Sequence, residues 1–458
     1  MLLVASCTNN SNEDANTSEI KEVLDLDSIS KRNKLVALVD NSSTSYFVFR
    51  GEPMGFEYEL LSKFSEFIGV DLEIKIIENL DSVDYRLNSF DGDIIAANLT
   101  VTKGRTNYMS FSKPILTSKQ VLVQHKGNGR ELVKSVSQLI DSTVFVRKQS
   151  SFYGRLLNLS EEIGGNLTIK PVPGDVTVEK LIERVNEGEI NFTVADEHVA
   201  KINKAFFRNI DIKTPISLDQ QMAWAVRKDS PILLDSINSW LDDFRNTLEF
   251  RMIYLKYFGN TSLYRSRLKN ELFTPKSGTL SPYDEAVKVH AEAISWDWRL
   301  ITSLIYQESG FDQYSESWTG ASGLMQLMPS TAESLGIDSL SDPEENIEAG
   351  IKYIAWLDKQ FIDKVLDSLE RQKFILAAYN VGLGHVFDAI RLAQKHNLDS
   401  ATWNNNVAEM LKNKSIPDYY QDDVVYYGYC RGSEPFKYVN EVMERFEHYK
   451  NITESQDN

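Results

Sequence analysis

Apolar and polar positions follow two different rhythms along the chain. From Lys34 to about residue 260, short apolar runs bounded by turn residues alternate with stretches of helical periodicity. Leu35-Val36-Ala37-Leu38-Val39 and Asp93-Ile94-Ile95-Ala96-Ala97 are continuous apolar runs, as strands covered on both faces require. A helix opens at Gly55, puts Leu60, Phe64 and Phe67/Ile68 on one face, and stops at Gly69. Leu72 to Ile77 alternates as a strand. A second set of elements runs from Thr143 to Thr193, with helices over 153–158 and 179–186, and Gln221 to Val226 reads as one more strand. Such strand–helix alternation defines an α/β region. Gly259 to Ser281 is basic and irregular, with Arg265, Arg267, Lys269, Pro275 and Gly278, and reads as an interdomain linker. Beyond it the pattern is almost entirely helical. The expected division is 1–30 as a tether, 31–260 as the α/β module, 261–280 as the linker and 281–458 as a mainly α domain.

One helix in the second region carries a chemical signal. Asp297 is a candidate N-cap and Gly310 a candidate C-terminal stop. Between them Ile301, Leu304, Ile305 and Glu308 fall at i, i+3, i+4 and i+7, so a carboxylate continues the apolar stripe. Burial disfavours the charged carboxylate and raises its pKa, which is what a general acid needs near neutrality. An end-of-helix Glu facing solvent fits the same spacing, and position alone leaves both readings open.

Composition narrows the alternatives. The chain has 458 residues, enough for two or three domains with separate cores. A net charge of −17 lacks the basic footprint of a nucleic-acid binder. No continuous apolar run reaches the length of a membrane-spanning helix. Two cysteines and six scattered histidines offer neither a disulfide framework nor a metal-ligand cluster, so neither metal nor cofactor is expected. The chemistry must come from carboxylates, hydroxyls and amides.

Met1-Leu2-Leu3-Val4-Ala5-Ser6-Cys7, followed by a polar tail from Thr8 to about Lys21, resembles the end of a bacterial lipoprotein signal. That resemblance implies acylation of Cys7, a membrane anchor without a spanning segment, and placement at the outer membrane facing the periplasm. The segments GFEYELLSKFSEFIGV, DIIAANLTVTKGR, MSFSKPILTSKQVLV and VADEHVA resemble family-3 periplasmic solute-binding proteins. The implied fold is a two-lobed α/β periplasmic-binding-protein fold, holding an amino acid or related small solute between its lobes. By this resemblance Thr100, Thr102 and Arg105 grip a ligand carboxylate, and Asp196 meets its ammonium group. Ser150 and Ser151 complete the anion site at a helix N-terminus. Gln149 stands where the family often has Gly. As a plain alternative, Asp196 serves as an N-cap for the helix that follows it.

In the helical region the ordered set ESG, GLMQLMP, DPEENIEAGIKYI, AAYNVGLG and YV resembles lytic transglycosylases of the soluble type, with a goose-lysozyme-like fold. The resemblance implies cleavage of peptidoglycan glycan strands between N-acetylmuramic acid and N-acetylglucosamine. Glu308 protonates the glycosidic oxygen, the substrate's acetamido group supports the oxocarbenium-like centre, and the muramyl C6 hydroxyl closes a 1,6-anhydro ring without consuming water. Asn380 is then the amide donor, Ser322, Met325 and Gln326 belong to the substrate cleft, and Tyr379 and Tyr438 place the sugar and Glu308. Asp312 and Glu316 are the candidates for a second carboxylate in a lysozyme-like hydrolase, but both lie in a polar loop beyond Gly310 and read as solvated. The module in front then has a candidate role in sensing an amino acid or muropeptide and modulating cleavage. A sensor lipoprotein with a silent catalytic domain is the binding-class alternative.

Overall fold

The computed structural model describes residues 25–454, apart from 78, 80, 81, 128–130, 149, 175, 271 and 336–341. Cys7 and Gln149 therefore lie outside the described residues.

The first lobe is built on a five-stranded sheet in the order Asp71–Ile76, Lys34–Val39, Ile94–Ile95, Ala225–Val226, Ser110–Phe111. The first three strands are parallel, and the last two run antiparallel to their neighbours. The helix Phe56–Ile68 covers one face with Leu60, Leu61 and Phe64, all fully buried. Phe67, expected on that face, is 57% exposed, and Ile68 packs there instead. The second lobe has a five-stranded sheet in the order Thr168–Val172, Thr143–Arg147, Phe192–Asp196, Gln120–His125, Ile210–Pro215. Separate apolar clusters fill its two faces.

The stretch Gln221 to Val226 is two strands rather than one. Gln220–Met222 pairs with Leu116–Ser118 where the chain crosses between lobes, and Ala225–Val226 joins the first-lobe sheet. Trp224 lies between them, buried, with its indole N–H donating to Glu57 at 2.7 Å. That hydrogen bond satisfies a buried polar pair at the point where the strand breaks.

The segment 261–280, expected to be irregular, is largely helical and packed. Its helix Thr261–Lys269 starts at Asn260, whose side chain caps Leu263 N–H at 3.1 Å. Tyr264 is 1% exposed, and its hydroxyl donates to Ser43 in the first lobe and to Asn203 in the second. Arg267, 4% exposed, lies over the Phe47 and Tyr257 rings at 5.6 and 5.1 Å. Arg267 is thus used in burial against aromatic faces, while Arg265 and Lys269 remain exposed.

The C-terminal region is a helical domain around one large apolar cluster. Its last helix, Ser433–Glu454, runs on into the first lobe. There Tyr449 and Ile452 are fully buried in the first-lobe core, and His448 Nδ1 lies 2.8 Å from the Tyr46 hydroxyl. Tyr449 Oη donates to Gly51 O at 3.0 Å, and Asn451 Nδ2 to Ile74 O at 2.6 Å. Gly51 has φ +84°, and a Cβ there would come within 2.3 Å of the Tyr306 ring. Close approach of the β-hairpin Phe47–Met54 to the helices of the C-terminal domain depends on this glycine. Burial of an aromatic and an isoleucine stabilises by roughly 1.5–3 kcal/mol each. A fragment of residues 281–458 alone exposes both; its expected melting temperature lies below that of the same domain in the full chain, as calorimetry would measure.

Candidate active site and ligand cleft

The helix Trp298–Ser309 forms as its sequence pattern requires. Asp297 Oδ1 accepts from Arg299 N at 2.9 Å, Gly310 closes it at φ +59°, and Ile301, Leu304 and Ile305 are fully buried. Glu308, one turn beyond Leu304, reaches the edge of the core. Its partner comes from the helix Ser433–Glu454: the Tyr438 hydroxyl donates to Glu308 Oε1 in a short hydrogen bond. Alignment of the two helices is fixed by Ser303 Oγ donating to Val442 O at 2.7 Å and Gln307 Nε2 to Glu441 Oε2 at 2.9 Å. Burial pushes the Glu308 carboxyl up to about 7, although the Tyr438 hydrogen bond pulls the other way. Burial and the adjacent Glu308 raise the Tyr438 phenol well above its ordinary value, so it stays a donor.

The opposite wall is the loop from Phe311 to Met328. Asp312 and Glu316 are exposed, and Asp312 Oδ1 accepts from Tyr314 N. Ser322 bridges the loop by strand-type pairing to Glu316 and Leu327. Gln326, at φ +47°, donates through Nε2 to Ser315 O at 2.9 Å and Gly323 O at 3.0 Å. Its amide nitrogen therefore secures the loop, and its carbonyl oxygen is the end left for a ligand. Met325 corrects the expectation that its side chain lines the cleft. It is fully buried and occupies the space above Gly350, where a Cβ would come within 2.1 Å of its sulfur. What Met325 offers is its backbone: its carbonyl accepts from the Tyr379 hydroxyl at 2.7 Å, and its N–H donates to Asn346 Oδ1 at 2.8 Å. Tyr379 thus ties the loop to the helix Ser368–Val381, and the same helix presents Asn380, exposed, in its last turn.

In the N-terminal module a cavity between the lobes is lined by Thr100, Arg105, Ser150, Ser151 and Asp196. Thr102 is not among its lining residues; it lines a neighbouring cavity that shares Arg105, Ser150 and Ser151 with the first. Arg105 Nη1 donates to Thr100 O at 3.0 Å, and Thr100 Oγ1 lies 3.1 Å from Ser151 Oγ. The Ser150 hydroxyl is used at the start of the helix Ser151–Ile163, accepting from Tyr153 N and donating to Arg147 O, which leaves Ser151 as the hydroxyl facing the cavity. Asp196 ends the strand Phe192–Asp196 and precedes the helix Glu197–Phe206 without capping it. It is 6% exposed, and its Oδ1 has no hydrogen-bond partner among the described residues. Burial pushes its carboxyl up to about 7, against the pull of Arg147 and Arg105. Asp40, Arg147 and Glu179 also line this cavity and carried no signal in the sequence. Each is an isolated charge in a strand-end or helix-start position that only the fold brings together.

The geometry is that of a two-lobed α/β module joined to a helical domain in which the Glu308 carboxyl sits partly buried at the end of a helix, held by Tyr438. Residues 35–260 match the family of bacterial extracellular solute-binding proteins, family 3, and residues 285–401 match the transglycosylase SLT domain. The chain is 35% identical over 425 residues to membrane-bound lytic murein transglycosylase F of Desulfosudis oleivorans, covering 92% of this chain and 90% of that protein. The protein of the same name from Pseudomonas fluorescens Pf-5 is 31% identical over 435 residues, covering 94% and 87%. The crystal structure of the P235GK mutant of ArgBP from T. maritima aligns with 51% of this chain and 99% of its own at 23% identity, with a TM-score of 0.46. The chain belongs to the family of membrane-bound lytic murein transglycosylase F.

Proposed function

We propose that the chain is a peptidoglycan lytic transglycosylase in which Glu308 is both general acid and general base. The observation that carries this reading is a carboxyl group at the end of an apolar helix stripe, raised to about 7 by burial and held by Tyr438. A protonated Glu308 donates its proton to the glycosidic oxygen as the bond from muramyl C1 breaks. The substrate's 2-acetamido group supports the positive charge at C1. The Glu308 carboxylate then takes the proton of the muramyl C6 hydroxyl as that oxygen bonds to C1, and the ring closes to 1,6-anhydromuramyl. Asn380, Ser322 and the Gln326 carbonyl are assigned to hold the sugars. Tyr438 orients Glu308, while Tyr379 acts through the Met325 carbonyl as a positioning residue. No cofactor enters this scheme. Release of soluble fragments from purified sacculi by the full chain, and none by Glu308→Gln, tests it; equal release contradicts it.

The cavity between the lobes supports binding of a small zwitterion, with its carboxylate on Arg105 and its ammonium on Asp196. An unpartnered buried carboxylate oxygen is a costly feature that a cationic group relieves. The candidate ligands are an amino acid or a muropeptide. The helix Ser433–Glu454 reaches from Tyr438 at the cleft to Tyr449 in the first lobe, so a shift of that lobe on ligand closure bears on the Tyr438–Glu308 contact. In the full chain, Arg105→Ala is expected to abolish ligand heat in calorimetry and any ligand effect on turnover, with basal turnover kept. Ligand-dependent turnover that survives the substitution would remove the regulatory reading.

Attachment to the cell envelope through an acylated Cys7 rests on the sequence pattern and on the family's membrane-bound members. No helix among the described residues is long and apolar enough to cross a membrane. Cys7→Ser in the expressed full-length protein is expected to move it from the membrane to the soluble fraction; unchanged fractionation counts against the anchor.

A further inference from the structure

The segment between Tyr420 and Ser433 presents three tyrosines to solvent: Tyr426, Tyr427 and Tyr429 are 73%, 61% and 54% exposed. Exposed rings are ordinary on a mobile loop, but the backbone here is held by buried charge. Asp388, fully buried in the helix Leu383–Lys395, accepts from Tyr426 N at 2.8 Å and Tyr427 N at 2.9 Å. The same carboxylate takes Lys414 Nζ at 2.6 Å, itself fully buried, and the Arg391 guanidinium. Arg391 Nε also donates to Val424 O at 2.7 Å, and its guanidinium carbon lies 4.3 Å over the Tyr426 ring. Lys395 clamps Asp422 at 2.7 Å, and Tyr420 meets Tyr429 edge to face at 5.7 Å. Burying an ion pair costs several kcal/mol per ion before the attraction offsets it. Here that arrangement fixes a backbone whose side chains point outward.

The loop adjoins the proposed cleft on two sides. A Cβ on Gly384, four residues past Asn380, would come within 2.4 Å of the Tyr427 ring, so the ring lies directly on the turn that follows Asn380. The loop then enters the helix that carries Tyr438. Pre-positioned tyrosines suit a sugar partner: each ring offers a flat apolar face and a hydroxyl, and a fixed backbone leaves little entropy to lose on binding.

Resting on the transglycosylase reading above, we propose that Tyr426, Tyr427 and Tyr429 form an aromatic wall for the glycan strand. They hold sugars beyond the two that flank the scissile bond, and Asp388 is the positioning residue that keeps them in place. The occupant is the carbohydrate chain rather than the peptide stem. Its continuity with Asn380 and the aromatic character of the wall favour sugar faces.

The test uses the full-length protein with a Tyr427→Ala/Tyr429→Ala double variant. On long glycan strands stripped of peptides, KM is expected to rise about tenfold with kcat kept, at roughly 0.5–1.5 kcal/mol per aromatic contact and 1.4 kcal/mol per decade. On a disaccharide, which fills only the two positions flanking the scissile bond, neither constant should change, and Tyr427→Trp/Tyr429→Phe should behave as wild type. An unchanged KM on long strands, an equal loss on both lengths, or a loss seen only with peptide-bearing strands would overturn the proposal. Co-sedimentation with sacculi of the same variants in a Glu308→Gln background separates the two readings. Weaker pelleting there supports the wall even if turnover fails, and unchanged pelleting contradicts it even if turnover succeeds.

Discussion

Glu308→Gln is expected to lower turnover of purified sacculi by roughly 10²–10⁴-fold, the range lost when a positioned general acid is removed. Glutamine keeps the shape and accepts the Tyr438 hydrogen bond, so the fold should survive. The wild-type pH profile makes the same point independently. The reaction starts from the protonated carboxyl, so kcat/KM, which reports the free enzyme, should fall as pH rises through about 7. Stability follows the same titration. The folded carboxyl binds its proton more tightly than the unfolded one, whose ordinary value is 4.5. In that window the folded state carries the extra proton, so stability declines as pH rises from the unfolded value to about 7. Glu308→Gln removes this cost, and its melting temperature at pH 8 should exceed that of wild type. A variant less stable than wild type at pH 8 would mean that Glu308 is stabilising as an ion, contrary to its buried setting.

Asp388→Ala is expected to be the most damaging single change to the helical domain. It removes the acceptor for Lys414 Nζ, Arg391 and two backbone N–H groups at once, and leaves an ammonium group buried. Breaking a buried pair by deleting one partner costs roughly 3–5 kcal/mol. For a domain of this size that corresponds to a fall in melting temperature of roughly 6–20 °C. The double variant Asp388→Ala/Lys414→Met should recover part of the loss, because the stranded charge is gone. A melting temperature within a degree or two of wild type for Asp388→Ala would show that His385, whose Nδ1 lies 2.9 Å from Lys414 Nζ, is enough to hold the buried charge.

What could be read from the chain alone was local. The helix from Asp297 to Gly310 is encoded by a cap, an apolar stripe and a stop, all within fourteen positions, and each behaves in the fold as those residue types do. Glu308 was legible because it extends that stripe. Tyr438 as its partner was legible only through the family resemblance, since 130 positions separate the two. Met325 was misplaced because its motif does not say which side of the loop its side chain takes, and Gly350 leaves the room that draws it into the core. Asp40, Arg147 and Glu179 were invisible for a similar reason: a lone charge at a strand end or helix start looks like any solvated residue until the two lobes face each other. The segment 261–280 was misread because its arginine and tyrosine find partners far away in sequence, in both lobes. The same holds for Tyr449 and Gly51, whose contact joins the two halves of the chain.

The central claim is that one carboxyl group cleaves the glycan without water, and the mass of the products tests it most directly. Sacculi digested by the wild-type chain should release muropeptides ending in 1,6-anhydromuramic acid, each lighter by one water than the corresponding reducing-end species. Products at the reducing-end mass would contradict the account, because they require a water molecule that the Glu308 mechanism does not use.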